Sequence, residues 1–283
     1  MNDMKIYKMS GAGNDFIVLD GRNEDVSGFR KIERITALCE EYGTDGLMIL
    51  GKGDAVADFR MEFFNPDGSG GMMCGNGGRC IVAFADWLGI KTSSSDHYVF
   101  MAPDGLHEAQ ILKRPGTEWT VRLRMIDVDG VREMQGGYFL NTGTRHFVKF
   151  VEDVESVDVE SEGRELRWKE EFAPEGTNVN FVQVCADRLK VRTFEKGVER
   201  ETLACGTGIT ASALAAFYSG NLPEGKISGL AGKDEKRATV RIQARRGDLL
   251  TVDFMAPDNL AARTARFTGI HLTGPAEFSA KNN

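Results

Sequence analysis

The stretch Met72-Met73-Cys74-Gly75-Asn76-Gly77-Gly78-Arg79-Cys80 decides how this chain is read. A cysteine stands directly before a run of glycines and an asparagine, and an apolar segment follows. Taken alone, the pattern allows a metal knuckle, a phosphate-binding loop, a disulfide corner or a packed cysteine. A second stretch changes the odds: Leu203-Ala204-Cys205-Gly206-Thr207-Gly208 repeats Cys-Gly-x-Gly and also leads into an apolar segment. Two inert cysteines would rarely both fall at glycine-rich helix starts.

The physical chemistry of such a start is specific. The first backbone N–H groups of a helix have no intrahelical partners and carry the positive end of its dipole. Glycine lets an anion approach that backbone closely. A cysteine at the same place has its thiolate stabilised, with a pKa taken from about 8.5 into a range of roughly 3.5–7.5. Neither loop matches the G-x-x-x-x-G-K-[ST] phosphate motif, and Ser10-Gly11-Ala12-Gly13-Asn14-Asp15-Phe16 is only a fragment of a dinucleotide fingerprint.

Working outward, short alternating strands fill most of the chain. Met4–Met9, Phe16–Gly21, Leu47–Gly51 and Phe59–Phe64 make a first series. A helix is expected over Phe29–Glu41, where Ile32, Ile35, Leu38 and Cys39 recur at helical spacing. Tyr98–Pro103, Glu108–Leu112 and Thr120–Met125 follow. A second series runs through Gly136–Gly143, Arg145–Val151, Asn178–Val184, Leu189–Gly197, Ala238–Ala244 and Leu249–Met255. Helices are expected from Gly78 to Leu88 and from Gly208 to Tyr218, each beginning at a cysteine motif. No charged residue occurs from Leu203 to Tyr218, and a helix apolar on every side is enclosed by protein.

The expected architecture is therefore α+β, with two similar domains, each a mostly antiparallel β-sheet wrapped around a central helix, and the active site in the cleft between them. The bounds are 1–127 for the first domain, completed by 270–283, and 128–269 for the second.

Composition narrows the class. The 283 residues are 41% apolar and 27% charged, enough for a sizeable core. A net charge of −7 with no basic run speaks against nucleic acid. No apolar run approaches the roughly 18 residues of a membrane span, and no secretory signal pattern is seen, so a cytoplasmic location is expected. Five cysteines without a C-x-x-C pair, and four scattered histidines, point to reduced thiols rather than to a disulfide framework or a zinc site. No metal and no cofactor are expected. The expected partner is a small amino-acid substrate.

Two thiols and two anion-binding helix ends make one kind of machine. Were the helices to meet N-terminus to N-terminus, backbone N–H groups from both would hold a substrate carboxylate. The cysteines would then flank the adjacent carbon on opposite faces. One thiolate removes the α-proton and the other cysteine, as a thiol, delivers a proton to the far face. Several donors must converge on the carboxylate, because one preorganised donor stabilises such a transition state by only about 3–4 kcal/mol.

Lys8-Met9-Ser10-Gly11-Ala12-Gly13-Asn14-Asp15-Phe16-Ile17-Val18-Leu19-Asp20, Phe63–Cys80 and Glu201–Gly208 together resemble the signature motifs of the diaminopimelate epimerases, a branch of the cofactor-independent amino-acid racemases, over the whole chain. The resemblance implies conversion of LL-2,6-diaminopimelate to the meso form in lysine and cell-wall precursor synthesis, and a homodimer. It implies Cys74 and Cys205 as the acid–base pair, with Gly75, Asn76, Gly206 and Thr207 holding the reacting carboxylate. Asn14, Asn65 and Asn178 would line the substrate pocket, the last two towards its distal amino-acid end; Glu195 would meet an ammonium group and Lys196 the distal carboxylate; and His146, with Glu195, would assist catalysis. Two positions depart from the family. Lys196 stands where arginine is usual, and a point-charge ammonium does not grip a carboxylate bidentately. Thr144-Arg145-His146 replaces Asn-Pro-His. Both bear on the distal end, so a racemase or epimerase of another amino acid is the alternative; a non-catalytic amino-acid-binding protein of the same fold is a second.

Overall fold

The computed structural model describes residues 4–71, 73–92, 94–222, 237–257 and 265–279. The chain divides into two compact units, Met1–Leu123 with Gly274–Asn283, and Arg124–Thr273. The sequence-based bounds, 127/128 and 269/270, fall beside these, and the last four residues of the expected 270–283 segment lie outside the described residues.

The first unit contains β1 (Tyr7–Gly11), β2 (Asn14–Asp20), α1 (Ile32–Tyr42), β3 (Leu47–Lys52), β4 (Phe59–Phe64), α2 (Gly75–Trp87), β5 (His97–Ala102), β6 (Gly105–Lys113) and β7 (Glu118–Arg124). β1 and β2 form a hairpin, and α1 crosses over to β3, which runs parallel to β2. β4 returns antiparallel to β3. After α2 the chain re-enters as β5, parallel to β4, and continues antiparallel through β6 and β7.

The second unit contains β8 (Val128–Asp129), β9 (Arg132–Met134), β10 (Gly137–Asn141), β11 (Arg145–Phe150), α3 (Val159–Arg167), β12 (Asn178–Val184), β13 (Leu189–Glu195), β14 (Arg200–Thr202), α4 (Gly206–Ser219), β15 (Arg237–Gln243), β16 (Leu249–Met255) and most of β17 (Arg266–Phe278). The plan of the first unit repeats. β10 and β11 form a hairpin, α3 crosses over to β12 parallel to β11, and β13 returns antiparallel. After α4, β15 lies parallel to β13 and continues antiparallel through β16 and β17. The duplication, weak in sequence outside the cysteine motifs, is plain in topology. The fold is α+β with two such domains.

In each unit the cysteine-motif helix is the one the sheet encloses. α2 packs against β1, β2, β3 and β6, and α4 against β10 through β13, β15 and β16. Every residue from Gly75 to Ala85 is buried, as is every residue from Gly208 to Phe217. The crossover helices lie outside. Ile35, Leu38 and Cys39 of α1 close a core over Ile17, Leu19, Leu47 and Ile49. Val159 of α3 does so over Phe147, Val179, Phe181 and Phe194. A Cβ at Gly163 would come within 2.4 Å of the Phe194 Cβ, so α3 reaches this depth only with glycine there.

Three expectations need correction. The helix expected over Phe29–Glu41 is a 3-10 turn, Ser27–Arg30, then α1 from Ile32; Lys31 between them is extended at φ −77° and ψ 131°. α2 and α4 start at Gly75 and Gly206, ahead of the expected Gly78 and Gly208. Glycine is a poor helix former, which hid the first turns, but burial holds them. β17 was not expected as a strand. Its end belongs to the first unit: Met9 and Ser10 of β1 pair with Phe278 and Glu277. The Phe278 ring lies 5.2 Å from that of Trp87 and 5.7 Å from that of Trp119.

Candidate functional site

Each cysteine caps its helix in the same way. Cys74 is extended, at φ −87° and ψ 132°, and its carbonyl accepts the first intrahelical bond from the Gly78 N–H at 2.7 Å. Cys205 is extended, at φ −113° and ψ 110°, and its carbonyl accepts from the Ile209 N–H at 2.8 Å. Neither first turn holds an acidic residue, and neither has a side-chain cap. Both ends therefore keep their positive partial charge for an anion.

In the first unit, Asn14 and Asn76 meet. The Asn76 Nδ2 donates to the Asn14 Oδ1 at 2.6 Å. Asn14 reaches this point because β1 turns into β2 through Ala12 and Gly13, both at positive φ, 53° and 95°. Gly11 is required for the approach: a Cβ there would come within 2.8 Å of the Asn76 carbonyl oxygen and 2.9 Å of the Cys80 Sγ. Cys80 itself is sealed in the core, and burial pushes its thiol far above the ordinary range.

Arg79 was missed by sequence reading, where it looks like a surface cation. It is fully buried. Its guanidinium donates to the Asn76 Oδ1 at 2.8 Å, the Gly75 carbonyl at 3.0 Å and the Pro275 carbonyl at 3.3 Å. It thereby orients the Asn76 amide and ties β17 to the start of α2. Arg79→Met strips these acceptors of their donor inside the core. Unfolding in urea should register a loss of about 3 kcal/mol or more, since each abandoned buried acceptor costs roughly 1–3 kcal/mol. An unchanged midpoint would contradict this role.

Asn65 sits in a turn of its own. Its Nδ2 donates to the Ser69 Oγ at 3.0 Å, and its carbonyl accepts from the Gly68 N–H at 2.9 Å.

The second unit gathers more of the expected residues. The parallel register of β11 and β12 sets His146 beside Asn178 and Val148 beside Asn180. Asn178 is a clamp. Its Nδ2 donates to the Arg145 carbonyl at 2.9 Å and to the Thr144 Oγ1 at 3.3 Å, and its Oδ1 accepts from the Lys196 backbone N–H at 2.8 Å. Glu195, at the end of β13, accepts from the Thr202 hydroxyl at 2.9 Å.

His146 is fully buried, and burial drives its pKa down to about 3. It is a neutral imidazole at physiological pH. Its Nε2 lies 2.9 Å from the Thr144 Oγ1 and 3.0 Å from the Thr207 Oγ1. The Thr207 Oγ1 is in turn 3.4 Å from the Cys205 Sγ. Thr142, also missed from sequence, donates to the Thr207 carbonyl at 2.9 Å and holds this first turn of α4.

The Arg145 guanidinium ion-pairs with Glu175 and lies 5.3 Å from the centroid of the Phe139 ring. The Glu175 carboxyl is held below its usual range first by its own backbone N–H, then by Arg145 and Lys196. The Lys196 side chain is exposed.

Among the described residues, no helix is long and apolar enough to cross a membrane. The solved structures similar to this chain show the fold. A phenazine biosynthesis protein of the PhzF family from Bacillus anthracis superposes with a TM-score of 0.68 at 14% identity, covering 99% of this chain and 98% of its own. A probable proline racemase from Agrobacterium radiobacter K84 gives 0.61 at 17% identity, covering 99% and 93%. Sequence relatives are nearer. The diaminopimelate epimerase of Aquifex aeolicus is 40% identical over 270 residues, covering 89% of this chain and 90% of its own. That of Flavobacterium psychrophilum is 38% identical over 279 residues, covering 97% and 98%. The diaminopimelate epimerase family model matches residues 6–123 and 138–251, so both halves of the duplication are accounted for. This chain, an isomerase with one cysteine-capped helix enclosed in each of its two units, belongs to the diaminopimelate epimerase family.

Proposed function

We propose that this protein inverts one α-carbon of 2,6-diaminopimelate, taking the LL to the meso isomer, with Cys74 and Cys205 as the two acid–base residues. The observation that carries the reading is the repeated helix start: the same cysteine cap, glycine-rich first turn and first hydrogen bond in both units. One cysteine, as thiolate, removes the α-proton. The electron pair left on carbon delocalises into the carboxylate, whose growing charge is met by backbone N–H groups of Gly75, Asn76, Gly206 and Thr207. The other cysteine, as thiol, gives its proton to the opposite face. The pair ends with thiol and thiolate exchanged, and no atom is gained or lost.

Asn14 and Glu195 serve the substrate's polar groups in this reading, and Asn178 and Lys196 its distal end. The reaction supplies lysine and peptidoglycan precursor synthesis. Its place is the cytoplasm, where thiols stay reduced.

The test is incubation with LL-diaminopimelate in deuterated water. The meso product should carry solvent deuterium at the inverted carbon, while unreacted substrate carries almost none early in the reaction. The pairing of Arg145 with Glu175, at a position that departs from the family, favours one alternative, a different distal group on the amino acid. No exchange into diaminopimelate, with exchange into another amino acid, would establish that alternative.

A further inference from the structure

The tautomer of His146 is legible from its surroundings. Asn180 is fully buried beside it. The Asn180 Nδ2 donates to the Phe147 carbonyl oxygen at 3.1 Å, and the Asn180 Oδ1 accepts from the Thr193 hydroxyl at 3.0 Å. Turning the amide over would set its oxygen against the Phe147 carbonyl, acceptor against acceptor, so the orientation is decided without reference to the histidine. The second Nδ2 hydrogen then points at the His146 Nδ1, 3.1 Å away. Nδ1 must accept, and the ring hydrogen sits on Nε2.

The consequence passes along the hydroxyls. With Nε2 a donor, neither Thr144 nor Thr207 can donate to the ring. The Thr207 hydroxyl hydrogen has two remaining neighbours, the Thr144 Oγ1 at 3.2 Å and the Cys205 Sγ at 3.4 Å. When the sulfur is a thiolate, the charge-assisted bond is the stronger and takes the hydrogen. In the other tautomer a bare Nε2 would be the better acceptor while the sulfur is neutral, and would draw the Thr207 hydrogen away. Gly208 keeps the network compact: a Cβ there would come within 2.4 Å of the Asn180 Oδ1.

We propose that Asn180 is a positioning residue for proton transfer at Cys205: it holds His146 in the Nε2–H tautomer, which leaves the Thr207 hydroxyl to stabilise the Cys205 thiolate. This rests on the reading of Cys205 as an acid–base residue. Among the described residues the ring's hydrogen bonds all go to neutral groups, so the effect is one of hydrogen-bond direction, not of charge on the imidazole.

Imidazole 15N NMR of the unaltered protein reads the first link without any variant. A protonated Nε2 and an unprotonated Nδ1 are expected; a protonated Nδ1 overturns the proposal. The second link is read by the pH dependence of alkylation, cysteine by cysteine, by mass spectrometry. In Asn180→Leu the midpoint for Cys205 should rise by about one pH unit while that for Cys74 stays, and kcat should fall roughly tenfold, the worth of one hydrogen bond to a charged group. Thr207→Val should give the same shift, Thr207→Ser should restore it, and Asn180→Leu combined with Thr207→Val should be no worse than Thr207→Val alone. An unmoved Cys205 midpoint in Asn180→Leu, or losses that multiply in the double variant, would overturn the proposal. Both spectroscopic and alkylation readouts need no substrate, so they stand apart from the assignment of the reaction. That assignment fails separately, if Cys205→Ala still turns over.

Discussion

Cys74→Ala and Cys205→Ala should each lower kcat/KM for inversion by about 10⁴-fold, the upper range of what one acid–base group contributes. Inversion needs both groups, because a proton taken from one face of the carbon must be replaced on the other. With either sulfur gone, the remaining one meets only its own face. Losses of similar size are expected for the two single variants, and the double variant should be scarcely worse, since residues that act as a unit are not additive. Cys185→Ser is the control. Cys185 lies in the turn after β12, where its N–H donates to the Arg188 carbonyl, and the substitution should leave kcat unchanged. Circular dichroism of each variant separates loss of chemistry from loss of fold. A Cys74→Ala or Cys205→Ala protein that is folded and retains turnover would remove that cysteine from the mechanism.

The two helices that carry this prediction were readable because their signals are local. A glycine-rich start after a cysteine, then an apolar run without a charge, specifies an enclosed helix with an open N-terminus whatever surrounds it. Ala238, Val240 and Ile242 were readable for the same reason: they alternate along β15 and are buried. α3 was not. Its stretch, Val159–Arg167, is mostly charged, and it buries only Val159, Gly163 and Arg167. The available signal was its cap, Asp158, whose carboxylate accepts from the Ser161 N–H. β17 was hidden by Gly274 and Pro275, which read as a break although the strand runs through them.

The site divides along the same line. The cysteines, Asn14 and Asn76 lie in motifs that announce themselves. Arg79, Thr144, Asn180 and Thr193 act through partners distant in sequence, such as Pro275 for Arg79 and His146 for Asn180. Strand alternation did offer one clue. Asn178 and Asn180 stand two apart on a strand whose other residues, apart from Gln183, are apolar, so both amides face one way into the same interior, where an unsatisfied amide would be costly.

The depressed pKa of His146 makes acid stability the second large expectation. In the folded protein its pKa is about 3; in the unfolded chain it returns to the ordinary value near 6.5. Above pH 6.5 both states hold a neutral ring, and the contribution of the buried histidine is complete. Between pH 6.5 and 3 the unfolded chain binds a proton that the folded chain refuses, so stability falls by about 1.4 kcal/mol for each pH unit. Below pH 3 both states are protonated and the slope ends. Urea unfolding at pH 6.5 and 4.5 should therefore show the unaltered protein losing about 2 kcal/mol more than His146→Gln, whose amide does not titrate. Carboxylates titrate in both proteins and cancel in the difference. Parallel curves would mean that His146 takes up its proton in the folded state. It could then exchange protons with the site, and the hydrogen-bond role argued for it would fail. A difference of the expected size has the opposite meaning: the ring stays neutral throughout the working range and adds no limb to the pH profile of turnover.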